Sequence, residues 1–155
     1  MKLSKHLSLK EVIKSNTATR KGIDNTPTDE HLYNLKRLAE EIFEPIRTHF
    51  NVPIGVSSGY RSIALNKAIG GSKTSQHSKG EALDLDADIY GEITNKQIFD
   101  FIKDNLEFDQ LIGEGLSSNG DYNWIHVSYS ATRKNRKEIL IADFSTGKAV
   151  YKKYI

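Results

Sequence analysis

Asp84 and Asp86 lie two apart in Glu81–Asp86, where apolar and acidic residues alternate as they do in a half-buried strand. That period places both acids on one face, opposite Leu83 and Leu85. In Trp124-Ile125-His126-Val127-Ser128 the same alternation sends Ile125 and Val127 to the core and leaves Trp124, His126 and Ser128 together on the outer face. His77 stands in the polar loop Ser72–Gly80, which runs into the Asp84 strand. A loop histidine, a strand carboxylate and a second strand histidine can thus converge on one side of a sheet. Two imidazoles and one carboxylate suit a catalytic zinc, with the fourth position open to water. The same donors suit iron(II), and scattered ligand-type residues also occur with no metal between them, so spacing alone leaves all three readings open. The facial triad of iron oxygenases sets its first histidine and carboxylate two apart, whereas His77 and Asp84 are seven apart. No His-Glu-x-x-His helix is present, and with no cysteine in the chain any metal site must be built from histidine and carboxylate.

The elements that must position these residues follow from capping and periodicity. Ser8-Leu9-Lys10-Glu11 reads as a capping box opening a short helix, and Asn16–Asn25 reads as polar and irregular. Thr26-Pro27 looks like an N-cap followed by proline at the first helical position. From there Leu32, Leu35, Leu38, Ile42, Ile46 and Phe50 form one apolar stripe along a long helix, which Pro45 should kink or split. A strand is expected at 54–58 and a short helix at 62–69, stopped by Gly70-Gly71. Thr94-Asn95-Lys96-Gln97 is a second capping box, for a helix carrying Ile98, Phe101 and Ile102. Strands near 108–114, 124–129 and 138–144 follow, and the last, 149–154, is joined to its predecessor as a hairpin through Ser145-Thr146-Gly147. Helices first and mostly antiparallel strands after them define the α+β class, helices packed on a mainly antiparallel sheet.

The bulk numbers agree with a globular chain. Its 155 residues suit one domain spanning 1–155, and 37% hydrophobic with 27% charged residues argues against disorder. The net charge of +2 is too small for a nucleic-acid footprint. The one basic run, Arg133-Lys134-Asn135-Arg136-Lys137, reads as a solvated loop. No apolar run is long enough to span a membrane, and the N-terminal residues have no apolar region of the secretory kind. Synthesis in the cytoplasm without a signal peptide is therefore expected. His6, His31 and His49 have no evident partners and read as surface residues; a monomer is the default.

Ser57-Ser58-Gly59-Tyr60-Arg61-Ser62, Ser75-Gln76-His77 with Gly80 through Asp84, and Trp124–Ser128 together resemble the D-alanyl-D-alanine carboxypeptidase family of zinc peptidases, in its short branch often found in phages. That family shares its fold with the hedgehog signalling domain, and Gly22–Pro27 with the helix after it adds to the likeness. The resemblance covers roughly residues 5–130 and leaves the terminal hairpin, 138–155, outside it. It implies that His77, Asp84 and His126 bind Zn2+, that Arg61 lies near the substrate's carboxylate or carbonyl, and that Ser75 and Gln76 bind substrate or orient His77. Trp124 would wall the cleft or pack over the site, and Asp86 would support the ligands or stand free.

The general base is where this sequence departs from the pattern. Cell-wall relatives often carry an acid three residues before the last histidine, and here that position is Asn123, which cannot take a proton. Glu114 ends the preceding strand, and a hairpin through Gly115–Gly120 would return it beside His126; Asp121 is the rival, near but off register. The resemblance implies hydrolysis of peptidoglycan stem peptides, at a D-alanyl or an L-alanyl-D-glutamate bond, by a carboxypeptidase or an endolysin-type endopeptidase. Such a protein meets the cell wall only when released or exported. The alternative is a metal-retaining, non-catalytic module of the same fold that binds peptidoglycan or protein.

Overall fold

Serine and threonine caps set most helix starts. In the computed structural model, which describes residues 1–154, α1 (Leu9–Ile13) begins at Ser8 with the reciprocal capping box in place. The stretch expected to be irregular holds α2 (Asn16–Lys21), capped by Ser15 and closed by Gly22 in the left-handed conformation. Only Ala18 of α2 is buried, so its sequence carries no apolar stripe to announce it. α3 (Asp29–Leu38) is capped by Thr28 rather than Thr26, and Pro27 lies outside the helix. Asp29 and Glu30 then fall in the first turn, where carboxylates complement the helix dipole.

Pro45 does not split the long helix. A π-turn (Ala39–Phe43) carries α3 directly into α4 (Glu44–Phe50), with the Glu44 N–H reaching back five residues to the Ala39 carbonyl. Widening the turn makes room for a proline ring that would otherwise press on the preceding turn. Leu35, Leu38, Ala39, Ile42, Phe43 and Ile46 remain on one buried stripe.

One six-stranded sheet follows, in the order β1-β2-β4-β3-β5-β6. Its strands are β1 (Val56–Ser58), β2 (Ala82–Leu85), β3 (Gln110–Glu114), β4 (Trp124–Ser128), β5 (Glu138–Asp143) and β6 (Val150–Lys153). All pairs are antiparallel except β3–β5, which is parallel, so the C-terminal hairpin extends the sheet. α5 (Ile63–Ala68) follows β1, and α6 (Asn95–Asn105) precedes β3 behind its Thr94–Gln97 capping box. Leu83, Leu85, Leu111, Ile125 and Val127 face the helices and join one core with the α3–α4 stripe and with Ile98, Phe99 and Ile102 of α6. The opposite face is left open for polar side chains. Among the described residues, no helix is long and apolar enough to cross a membrane.

The three histidines expected at the surface all have partners. His6 Nδ1 lies 2.8 Å from Glu44, His31 Nδ1 lies 3.1 Å from the Tyr60 hydroxyl, and His49 stacks on Phe101 with ring centroids 4.2 Å apart. These contacts join residues far apart in the chain, and single-sequence spacing carries no trace of them.

Gly80 closes the turn that carries His77. Its φ is +73°, and a Cβ there would lie 2.6 Å from the His31 carbonyl of α3. Gly147, in the exposed hairpin turn, has φ +85° with nothing within 4 Å. Gly80→Ala should therefore cost about 2 kcal/mol or more, and Gly147→Ala only about 1 kcal/mol. Urea midpoints of the two variants check this; equal losses would mean that the contact with α3 is slack.

A candidate metal centre in the cleft

β2 and β4 pair antiparallel with Asp84 directly opposite His126. Paired residues share a face, so strand register alone brings these two side chains together. His77 is supplied by a short 3-10 turn (Gln76–Lys79), capped by Ser75, whose hydroxyl accepts the His77 N–H at 3.2 Å. The His77 carbonyl in turn accepts the Arg61 N–H at 3.2 Å, which fixes this turn to the segment after β1. Asn25 stitches that segment from below: its amide donates to the Ile13 and Tyr60 carbonyls, and its Oδ1 accepts the Ser62 N–H at 2.7 Å.

The three expected ligands converge. Their ligand atoms all lie within 4.8 Å of one another. His77 Nε2 and His126 Nδ1 each stand 3.3 Å from Asp84 Oδ1. The far nitrogen of each ring faces a carbonyl oxygen: His77 Nδ1 meets Gly59 O at 2.7 Å, and His126 Nε2 meets Gln76 Oε1 at 3.3 Å. An oxygen acceptor draws the ring proton to the nitrogen it faces. In the neutral rings the lone pairs of the other two nitrogens therefore point at a carboxylate oxygen, an arrangement that favours a cation, or a proton, between them. Neutral imidazoles oriented by a second hydrogen bond are what zinc ligation requires, and the donor set fits that ion.

Arg61 lies beside this cluster. Its Nε–H donates to Ser58 Oγ at 3.2 Å and its Nη2–H to Asp84 Oδ2 at 3.4 Å, so each carboxylate oxygen of Asp84 has its own neighbours. Burial pushes the Asp84 carboxyl up; with protons on the facing ring nitrogens in place of a cation, the charge of His77 and the hydrogen bonds from His126 and His77 outweigh burial and hold it well below the usual carboxylate range. Asp86 does not join the centre. It caps a short turn (Ala87–Ile89) and accepts from Asn95 Nδ2 at 3.1 Å.

Glu114 enters the same cleft from β3, whose Glu114 pairs with Trp124 and whose Ile112 pairs with His126. It is only 7% exposed. Burial pushes its carboxyl up to about 7; His126 opposes this shift and Asp84 adds to it. Asp121, the rival base, is held elsewhere: its Oδ1 accepts the Lys96 N–H at 2.8 Å at the start of α6, and it does not line the cleft.

The cleft has a volume of about 720 Å3. Trp124 forms part of its wall, half-buried against Phe144 with ring centroids 5.6 Å apart, and the hairpin adds Ala149 and Tyr151. Ser75 and Gln76 also line it, but their polar atoms are engaged within the protein, Ser75 with His77 and Gln76 with His126 and Asp109. Ser128, expected outward, is fully buried and its hydroxyl accepts the Gln110 N–H at 3.0 Å. The basic run is not a free solvated loop either: Arg133 and Arg136 each grip Asp109 with two hydrogen bonds. Asp109 gave no sequence signal of its own, standing as one acid before a strand.

The cleft of this α+β domain gathers two imidazoles, a carboxylate and a buried glutamate, the donors and the acid that a zinc peptidase uses. A model of the Peptidase M15 family matches residues 5–128, and the chain is a member of that family of zinc D-alanyl-D-alanine carboxypeptidase-like peptidases. No curated protein matches the chain.

The raised Glu114 group has a measurable consequence in the metal-free protein. Below about pH 4.5 the carboxyl is protonated folded and unfolded alike; between there and about pH 7 the unfolded chain releases the proton first, so folding stability falls as pH rises. Glu114→Gln removes this slope. Urea unfolding of both proteins in chelator at pH 4 and pH 8 should show the variant gaining on the order of 3 kcal/mol over wild type at the higher pH. An unchanged difference would mean that Glu114 is hydrated.

Proposed function

We propose that the protein hydrolyses peptide bonds in bacterial peptidoglycan stem peptides with zinc held by His77, Asp84 and His126, and with Glu114 as general base. The observation that carries this reading is the placement of a buried, proton-holding carboxylate in the same cleft as a ligand set whose lone pairs converge. Zinc bound there would supply a Lewis acid that makes water acidic near neutral pH and draws electron density from a carbonyl.

The chain's own groups do the rest. Glu114 takes the proton of the attacking water and delivers it to the leaving amine, a task suited to a carboxyl whose affinity for protons is raised towards neutrality. A cation beside it would lower that affinity again, leaving the carboxylate free to accept. Arg61, beside Asp84 and lining the cleft, presents its remaining N–H groups to a substrate carboxylate or to the oxygen that gains charge. Trp124, Phe144 and Tyr151 form an aromatic wall against which the peptide lies, and they exclude water on that side. The substrate is a D-alanyl or L-alanyl-D-glutamate linkage, and the protein acts as a monomer once released to the wall.

Purified, zinc-loaded protein digesting isolated peptidoglycan tests the proposal, with mass spectrometry of the soluble products. Wild type should release stem-peptide fragments whose masses identify the bond. Glu114→Gln should keep its zinc and lose about 10²–10⁴ in rate, whereas Asp121→Asn should keep the wild-type rate. A wild-type protein that binds zinc yet releases nothing would instead be a binding module of this fold, and stoichiometric iron in place of zinc would overturn the peptidase reading.

A further inference from the structure

Asp109, immediately before β3, is fully buried and surrounded by donors. Arg133 donates to both its oxygens at 2.8 and 2.9 Å, and Arg136 does the same at 3.0 and 2.9 Å while adding its backbone N–H at 3.1 Å. These bonds fix the carboxylate plane from two sides. One further side chain reaches it, Gln76, with Nε2 at 2.8 Å from Oδ2.

An ionised carboxylate accepts hydrogen bonds and cannot donate them. The end of Gln76 that meets Asp109 must therefore be its NH2, which leaves Oε1 turned to His126 Nε2, 3.3 Å away. A carbonyl oxygen needs a proton from that nitrogen, so His126 carries its hydrogen on Nε2 and exposes the Nδ1 lone pair beside Asp84. A freely rotating Gln76 amide would offer its NH2 as readily as its oxygen, and the NH2 would favour the proton on Nδ1, where it blocks ligation.

We propose that Asp109, clamped by Arg133 and Arg136, is a positioning residue that acts through Gln76 to hold His126 in the metal-binding tautomer and ring orientation. The inference rests on the reading of His126 as a metal ligand. It gives the basic segment Arg133–Arg136 a role in the centre without contact with the metal, and it makes Gln76 an orienting group for His126 rather than for His77.

Gln76→Met keeps the length and packing of the side chain, deletes both hydrogen bonds and leaves the Asp109–arginine cluster intact. Two measurements on the full chain are needed. The ring nitrogen chemical shifts of His126 in the metal-free protein, taken where the ring is neutral, report the tautomer. Chelator competition with zinc alone reports affinity. Wild type should show the proton on Nε2; Gln76→Met should show a mixture of tautomers and bind zinc about 10–100-fold more weakly, with unchanged circular dichroism. Asp109→Asn should shift the tautomer in the same direction, and Gln76→Met keeps the test decisive where that variant fails to fold.

The relay is overturned if metal-free wild type carries the proton on Nδ1, or if Gln76→Met leaves tautomer and affinity unchanged. Failure of the metal reading looks different: wild type would bind no zinc, or His126→Ala would bind it as tightly as wild type.

Discussion

Three groups that do not attract one another must be held together for this site to exist. With the ring protons on their far nitrogens, His77 and His126 turn lone pairs towards an Asp84 oxygen, each 3.3 Å away. In that metal-ready protonation state no favourable contact among them holds the cluster, so the arrangement is imposed from outside. Strand register is the first constraint. Asp84 opposite His126 is fixed by four consecutive β2–β4 pairs, and a slip by one residue would send Asp84 to the helix side and Leu83 or Leu85 to the cleft. The hydrophobic face enforces that register, because Leu83, Leu85, Ile125 and Val127 are all fully buried under the helices. The core thus aims the ligands without touching them.

His77 has no strand to hold it, and polar side chains take over the task. Gly59 O accepts from its ring, Ser75 accepts from its backbone, and Asn34 of α3 donates to the Lys79 carbonyl at the end of its turn. A Cβ on Gly59 would stand 2.5 Å from the Val12 carbonyl, so the close approach of α1 to this loop requires glycine at the residue that orients the first histidine. Asn95 works in the same way on the other flank, joining Ala87 to Tyr122 and Asn123 from a fully buried position. Each such amide replaces the regular ladder that a loop lacks, and satisfies backbone groups that burial would otherwise leave unpaired.

Much of this was legible in the sequence where a short-range rule governs. The capping boxes at Ser8 and Thr94, the apolar stripe from Leu35 to Ile46, and the alternation around Asp84 and His126 follow from local periodicity, and the structure keeps them. Glu114 beside the cluster followed from one hairpin of antiparallel strands. What stayed hidden depends on partners distant in sequence. The parallel β3–β5 pairing, the burial of Ser128, the contacts of His6 and His49, and the Asp109–Arg133–Arg136 cluster each join segments whose spacing obeys no period. A charged run looks alike whether it meets water or a buried acid. At Pro45 the expected split is absent for another reason: a backbone can widen a turn as an alternative to breaking it.

The terminal hairpin lies beyond the stretch that matches the family, yet Phe144, Ala149 and Tyr151 face into the cleft. It joins the sheet through β3, on the side away from the β2–β4 pair that carries two of the candidate ligands. The fold therefore builds the cleft from two separate parts, a ligand-bearing strand pair and a hairpin wall. Changes in the hairpin would reshape one wall of the cleft while the β2–β4 pair keeps its register, because the two meet only across β3.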